Sequence, residues 1–352
     1  MIRALVVEDS LTVQEFLVEV LRSDPQIEVV GTAKNGLEGI EMTKRLRPSV
    51  VVMDINMPKM DGLEATKRIM IESPTPIVIV TASMNVRDVN VSMSALRAGA
   101  LALLDKPLGI GDVNSEVSAR HLVATVKAMA EVKVVRHWAA TAPRSLLPLP
   151  AVPRPPRQIR VIAAAASTGG PAALARLLAD LPASFPVPIV IVQHIAQGFV
   201  GGFASWLSTV CPLRVKIAAD GEPLLPSTVY LAGEGGHTGV SHESRIVLDS
   251  APAIGGFRPS ATYLFDSAGK AFGPSAMALM LTGMGQDGVD GLRALRANGG
   301  QVVAQDESSS IVFGMPGAAI AAGLADCILP LPSIGPHVVR MVRRACPGIN
   351  EE

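Results

Sequence analysis

Short apolar runs recur through the first third of the chain, at residues 4–7, 27–32, 50–54, 77–81 and 100–104. Each has the length of a strand, and several are continuous Val and Ile rather than alternating, the pattern of strands buried on both faces. Between them lie stretches with helical spacing of apolar positions, at residues 11–23, 36–46, 62–71 and 86–98. Alternation of strand and helix predicts a parallel sheet covered by helices on both sides. A fifth amphipathic stretch, about 112–130, closes this first domain. The pattern then breaks: PRSLLPLPAVPRPPRQ is proline-rich with interspersed arginine, a composition that stiffens the chain and removes backbone donors. Strand–helix alternation resumes with a strand at 159–166, a helix at 171–181 and strands at 187–193 and 278–281. The reading is therefore two α/β domains, residues 1–130 and 159–347, joined by a linker at 131–158, with no repeat of the first domain's motifs in the second.

Composition agrees with that division. A chain of 352 residues exceeds one ordinary core, and 49% hydrophobic against 18% charged residues is globular rather than disordered. Formal net charge is zero, which supplies no global field for nucleic acid, and the second segment has no clustered basic helix. The three cysteines, Cys211, Cys327 and Cys346, are scattered and form no ligand or disulfide spacing. With no secretory signal and the apolar stretch 314–332 interrupted by Asp326, glycines and prolines, the expectation is a cytoplasmic protein with no membrane insertion.

Chemistry-bearing residues gather at strand ends. In the first domain Glu8 and Asp9 follow strand one, Asp54 ends strand three, Thr81 ends strand four and Lys106 follows strand five. The carboxyl ends of parallel strands form the ligand crevice of such sheets, so these side chains converge. Three carboxylates together require a cation, and oxygen donors suit Mg2+. Mg2+ and Lys106 would neutralise a transferring phosphoryl group, with Asp54 as acceptor and Thr81 as hydrogen-bond donor to it.

In the second domain Ser167, in AASTGGP, sits where a buried strand turns into a helix. That turn exposes a hydroxyl and aims free N–H groups at the same point. The pattern is close to G-x-S-x-G, with Ala165 in the first glycine position. A base and an orienting acid are needed. His194 ends the strand IVIVQH, with His237 in GEGGH as its rival; Asp287 lies in LTGMGQDG, with Asp290 as its rival. His121, His137, His242 and His337 read as surface or packing residues.

Two resemblances bear on these choices. VVEDS, VVMDINMPKMDG, TAS and DKP resemble bacterial response-regulator receivers. That resemblance implies a flavodoxin-like (βα)5 fold, phosphotransfer from a CheA-type histidine kinase to Asp54, and the main-chain carbonyl of Asn56 as a further metal ligand. Leu103 stands where receivers commonly carry an aromatic switch residue. ASTGGP, IVQH, DGEPLLPSTVYLAG, RPSATYLF, LTGMGQDG and VFGMPGAA resemble the catalytic domain of chemotaxis protein-glutamate methylesterases, the CheB family.

This second resemblance implies a doubly wound, mainly parallel hydrolytic domain that needs no metal, with Ser167 as nucleophile, His194 as base and Asp287 as third member. Thr168, Gly169, Met284 and Arg258 are implied at the oxyanion or substrate groove. It further implies hydrolysis of glutamate methyl esters, and deamidation of glutamines, on methyl-accepting chemoreceptors. Phe257, ahead of RPS, departs from a place where a polar residue such as histidine is common, and bears on the groove. A non-catalytic adaptor, a transcription regulator and a general lipase-like esterase are the rival readings; Ser167→Ala separates the first, the lack of a clustered basic helix disfavours the second, and a panel of esters separates the third.

Overall fold

A computed structural model of the chain describes residues 1–81, 100, 102–106, 115–130, 132, 158–195 and 198–344. The chain divides into two compact units, residues 1–142 and 143–352. The expected helix at 86–98 and nearly all of the expected linker at 131–158 lie outside the described residues.

The first unit holds five strands: β1 (Ile2–Val7), β2 (Ile27–Ala33), β3 (Val50–Asp54), β4 (Ile77–Thr81) and β5 (Ala102–Asp105). They form one sheet in the order β2-β1-β3-β4-β5, every pairing parallel. That is the flavodoxin-like order. Helices α1 (Leu11–Arg22), α2 (Gly36–Leu46), α3 (Gly62–Glu72) and α4 (Ser115–Ala130) accompany it. The helix starts are written in the sequence: the side chains of Asn35 and Asp61 cap α2 and α3 by accepting from the amides of Glu38 and Glu64. β3 and β4 are buried throughout, which is why they read as unbroken apolar runs.

The second unit is built on a seven-stranded sheet in the order β14-β13-β12-β6-β7-β9-β8. Its strands are β6 (Val161–Ala166), β7 (Ile189–Gln193), β8 (Arg214–Ile217), β9 (Thr228–Leu231), β12 (Ala276–Met280), β13 (Gln301–Gln305) and β14 (Cys327–Leu329). All of these pairings are parallel. A separate antiparallel hairpin joins β10 (His237–Val240) to β11 (Ile246–Asp249).

Side chains alternate across the sheet. Ala163, Ala165, Val190 and Val192 pack into one core with α7 (Ala261–Phe272), α8 (Val289–Ala297) and α9 (Met315–Ala321). On the other face α5 (Gly170–Ala179) packs against α6 (Val200–Val210) and α10 (Leu331–Arg344). The sheet is therefore wound on both sides. The chain leaves β6 toward β7 through α5 and leaves β12 toward β13 through α8, on opposite faces. The boundary between β6 and β12 is thus where the strand order reverses, the place where such sheets open a crevice. No helix among the described residues is long and apolar enough to cross a membrane.

Candidate active site and acceptor site

Register levels the ends of β12, β6 and β7: Met280 pairs with Ala165, and Ala166 with Gln193. The ladder runs one step further, since the Ser167 amide donates to Thr282 O (3.0 Å) and the His194 amide to Ala166 O (2.9 Å). Ser167 and His194 are thus neighbours on adjacent strands, roughly 5 Å apart at the backbone. Ala165 lies inside regular β6 with partners on both sides, so its Cβ fits where the sequence pattern alone would favour glycine.

The loop after β12 closes over Ser167. A Cβ on Gly283 would lie 2.8 Å from Ser167 Cβ and 2.5 Å from Met315 Sδ, so only glycine permits this approach. Gly283→Ala should therefore cost about 1–3 kcal/mol of stability by overpacking, read as a lowered thermal midpoint; an unchanged midpoint would show that the loop relaxes freely.

Asp287 sits on this loop at the N-terminus of α7. Its Oδ1 accepts from Ser260 Oγ (2.7 Å), Thr262 Oγ1 (3.0 Å) and the Thr262 amide (3.2 Å). Its Oδ2 accepts from the Ala261 amide (2.7 Å) and faces His194 Nε2 at 3.0 Å. Burial alone would raise this carboxyl, but the hydrogen bonds from His194, Ser260 and Ala261 outweigh it and hold it at about 2. An ionised carboxylate only accepts, so Nε2 of His194 donates to it, and Nδ1 is the ring nitrogen on the other edge. That Nδ1 is buried and has no hydrogen-bond partner among the described residues, so the hydroxyl of Ser167 is not yet bonded to it. Hydrogen bonds of this kind are often loose until substrate binds.

The Ser167 amide is engaged by Thr282, whereas those of Thr168, Gly169 and Met284 donate to no described residue. Gly169 caps α5 with φ of 77°. Arg258 is exposed beside Phe257. The rival His237 is fully buried in β10; its Nε2 faces Pro252 O at 3.0 Å and its ring stacks on Tyr263, which makes it a packing residue of the hairpin rather than a loop residue. Asp290 lies exposed in the first turn of α8, paired with Arg293.

Ser260 and Thr262, the partners of Asp287, carry no catalytic signature in the sequence; the signal that points to them is the helix cap, Ser before an apolar helical run. Gln193 carries none either: its Nε2 ties the Ser167 and His194 carbonyls together at 2.8 and 2.7 Å.

In the first unit Glu8, Asp9 and Asp54 present oxygens that all lie within 4.8 Å of one another. Lys106 Nζ reaches Glu8 Oε2 at 2.8 Å and Asp54 Oδ2 at 3.1 Å. Burial pushes the Glu8 and Asp54 carboxyls up, against the pull of Lys106. Burial pulls the Lys106 ammonium down, but those two acids outweigh it and hold it above its ordinary value. Thr81 is buried at the end of β4, and its carbonyl accepts from the Lys106 amide at 3.0 Å. Asn56 is exposed two residues beyond Asp54. The side chain of Leu103 lies outside the described residues. A hard, oxygen-only donor set carrying this much like charge fits Mg2+.

Fold and sites together define the class: a two-unit α/β protein with an acidic strand-end cluster in one unit and a serine–histidine–aspartate constellation in the other. Residues 162–338 match the CheB methylesterase family, and residues 4–118 match the response regulator receiver domain. A Myxococcus xanthus protein named protein-glutamate methylesterase/protein-glutamine glutaminase 4 is 54% identical over 348 residues, covering 97% of each chain. An Anaeromyxobacter dehalogenans protein of the same name, numbered 3, is 50% identical over 98% of this chain and 100% of its own. The crystal structure of the Thermotoga maritima CheB methylesterase catalytic domain matches with TM-score 0.51 and 35% identity, covering 53% of this chain and 100% of that one. The chain belongs to the CheB methylesterase family.

Proposed function

We propose that this chain is a cytoplasmic, phosphorylation-regulated serine hydrolase that removes methyl esters from glutamates of methyl-accepting chemoreceptors and deamidates receptor glutamines. The observation that carries the reading is the bond between His194 Nε2 and an ionised, five-times hydrogen-bonded Asp287, which leaves the other imidazole nitrogen without a partner among the described residues, one strand from Ser167. Ser167 attacks the ester carbonyl as Nδ1 of His194 takes its proton. Charge on the carbonyl oxygen is met by the free amides of Thr168, Gly169 or Met284. His194 returns the proton to the departing methoxide, releasing methanol. Water activated by the same imidazole then hydrolyses the acyl-serine to the free glutamate. For glutamine, ammonia leaves in place of methanol. Arg258 lines the groove on the substrate side.

In the first unit Asp54 accepts a phosphoryl group from a CheA-type histidine kinase. Glu8, Asp9, Asp54 and the Asn56 carbonyl would hold Mg2+, which supplies charge neutralisation for the transfer. Lys106 and Thr81 hold the phosphoryl oxygens. In this reading residues 1–130 restrain the hydrolytic domain, residues 159–347, across the linker at 131–158 until phosphate adds about two negative charges at Asp54.

The test is methanol release from methylated receptor by the intact chain, with and without a small-molecule phosphodonor and Mg2+. The rate should rise with phosphodonor and stay basal in Asp54→Asn, and a chelator should abolish phosphate incorporation. Equal rates in every arm would contradict the regulatory half of the proposal.

A further inference from the structure

The ring of Phe257 lies flat on the imidazole of His194, with centroids 4.3 Å apart and planes 11° from parallel. The backbone that carries it is a two-residue hairpin. Ile254 and Phe257 exchange both main-chain hydrogen bonds, at 3.1 and 3.0 Å, around Gly255 and Gly256 with φ of 60° and 88°. Positive φ at both central positions is the type I′ turn, which favours Gly-Gly, Asn-Gly and Asp-Gly pairs. The aromatic ring is therefore aimed by a tight local structure rather than by a loose loop.

A few residues on, the same strand of chain enters α7 and supplies Ser260, Ala261 and Thr262 to Asp287. Residues 254–262 thus govern His194 twice. Through Asp287 they hold the Nε2 edge of the ring, and through Phe257 they fix its plane. Together these leave Nδ1, buried and unpartnered, as the edge available to the nucleophile.

We propose that Phe257 is a positioning residue for the reaction: it clamps the His194 imidazole in the plane that serves Ser167 and stabilises the imidazolium that forms during attack. A phenyl face attracts a cation held against it, more strongly where water is excluded. Stabilisation therefore grows as the proton arrives on Nδ1, in the transition state rather than the ground state, and so acts on kcat. This inference rests on the reading of Ser167, His194 and Asp287 as the hydrolytic triad.

The experiment uses the full-length protein and compares Phe257→Leu, which removes the π face at similar volume, with Phe257→Tyr, which keeps it. Histidine-labelled samples give the imidazole proton resonances of His194, which the stacked ring shields, and methanol release from methylated receptor gives kcat and KM. In Phe257→Leu the His194 resonances should move downfield and kcat should fall about tenfold with KM within about twofold. Phe257→Tyr should restore both. Unmoved resonances, a loss that tyrosine does not rescue, or a rise in KM at unchanged kcat would each overturn the proposal, the last by making Phe257 a substrate contact. If the leucine variant does not fold, Phe257→Met is held to the same outcomes. Failure of the triad reading shows separately, as methanol release that survives Ser167→Ala while the ring shielding of His194 is intact.

Discussion

Ser167→Ala should lower methanol release from methylated receptor by at least about a thousandfold, with no change in the unfolding midpoint. The size follows from the nucleophile's role: without the hydroxyl, only the free amides of the turn and substrate binding remain to act on the ester. The absence of a stability cost follows from the geometry. Ser167 is half-buried and its hydroxyl is not bonded to His194, while its amide and carbonyl, which the substitution keeps, make the bonds to Thr282 and Gln193 that hold the turn. A variant that loses activity and stability together would place the effect on folding instead.

Asp287→Asn should damage both function and fold. The carboxylate meets only donors: two hydroxyls, two amides and the imidazole N–H. An asparagine amide must turn its NH2 toward one of these sets, placing donor against donor, and near the imidazole it would favour the wrong tautomer. Loss of kcat by roughly 10³- to 10⁴-fold is expected, as for other triads whose acid is made an amide.

The stability effect has a pH signature. The folded-state value of about 2 lies below the ordinary 3.8, so Asp287 contributes stability that is fully present above pH 3.8 and lost as pH falls toward 2. The magnitude is about 2 kcal/mol at neutral pH. The gap in unfolding free energy between wild type and Asp287→Asn should therefore be constant above about pH 5 and narrow below pH 4. A pH-independent gap would assign the loss to packing alone.

Much of this is legible in the sequence because the informative residues sit at element ends. The runs at 50–54 and 77–81 coincide with β3 and β4 because strands buried on both faces must be continuously apolar. The serine, histidine and aspartate loops are visible as polar residues following such runs. What the sequence hides is set by tertiary pairing. His237 follows two glycines and reads as a loop residue, yet the hairpin with β11 makes it a strand residue with no exposed surface. Nor does any local pattern show that the approach of β12 brings Thr282 O onto the Ser167 amide. The contact of Phe257 with His194 spans 63 positions of sequence, and no local pattern encodes it. The β6 strand begins at Val161 rather than 159, with the Arg160 amide already bonded to Ser275 O just ahead of the ladder to β12.

The central claim is that an acyl group passes through Ser167. The most direct measurement is a rapid acid quench of the full-length protein during turnover of methylated receptor, followed by digestion and mass spectrometry. A glutamyl adduct on the peptide containing Ser167, absent from Ser167→Ala, is the result predicted. Steady methanol release with no adduct there, or with the adduct on a different residue, would contradict it.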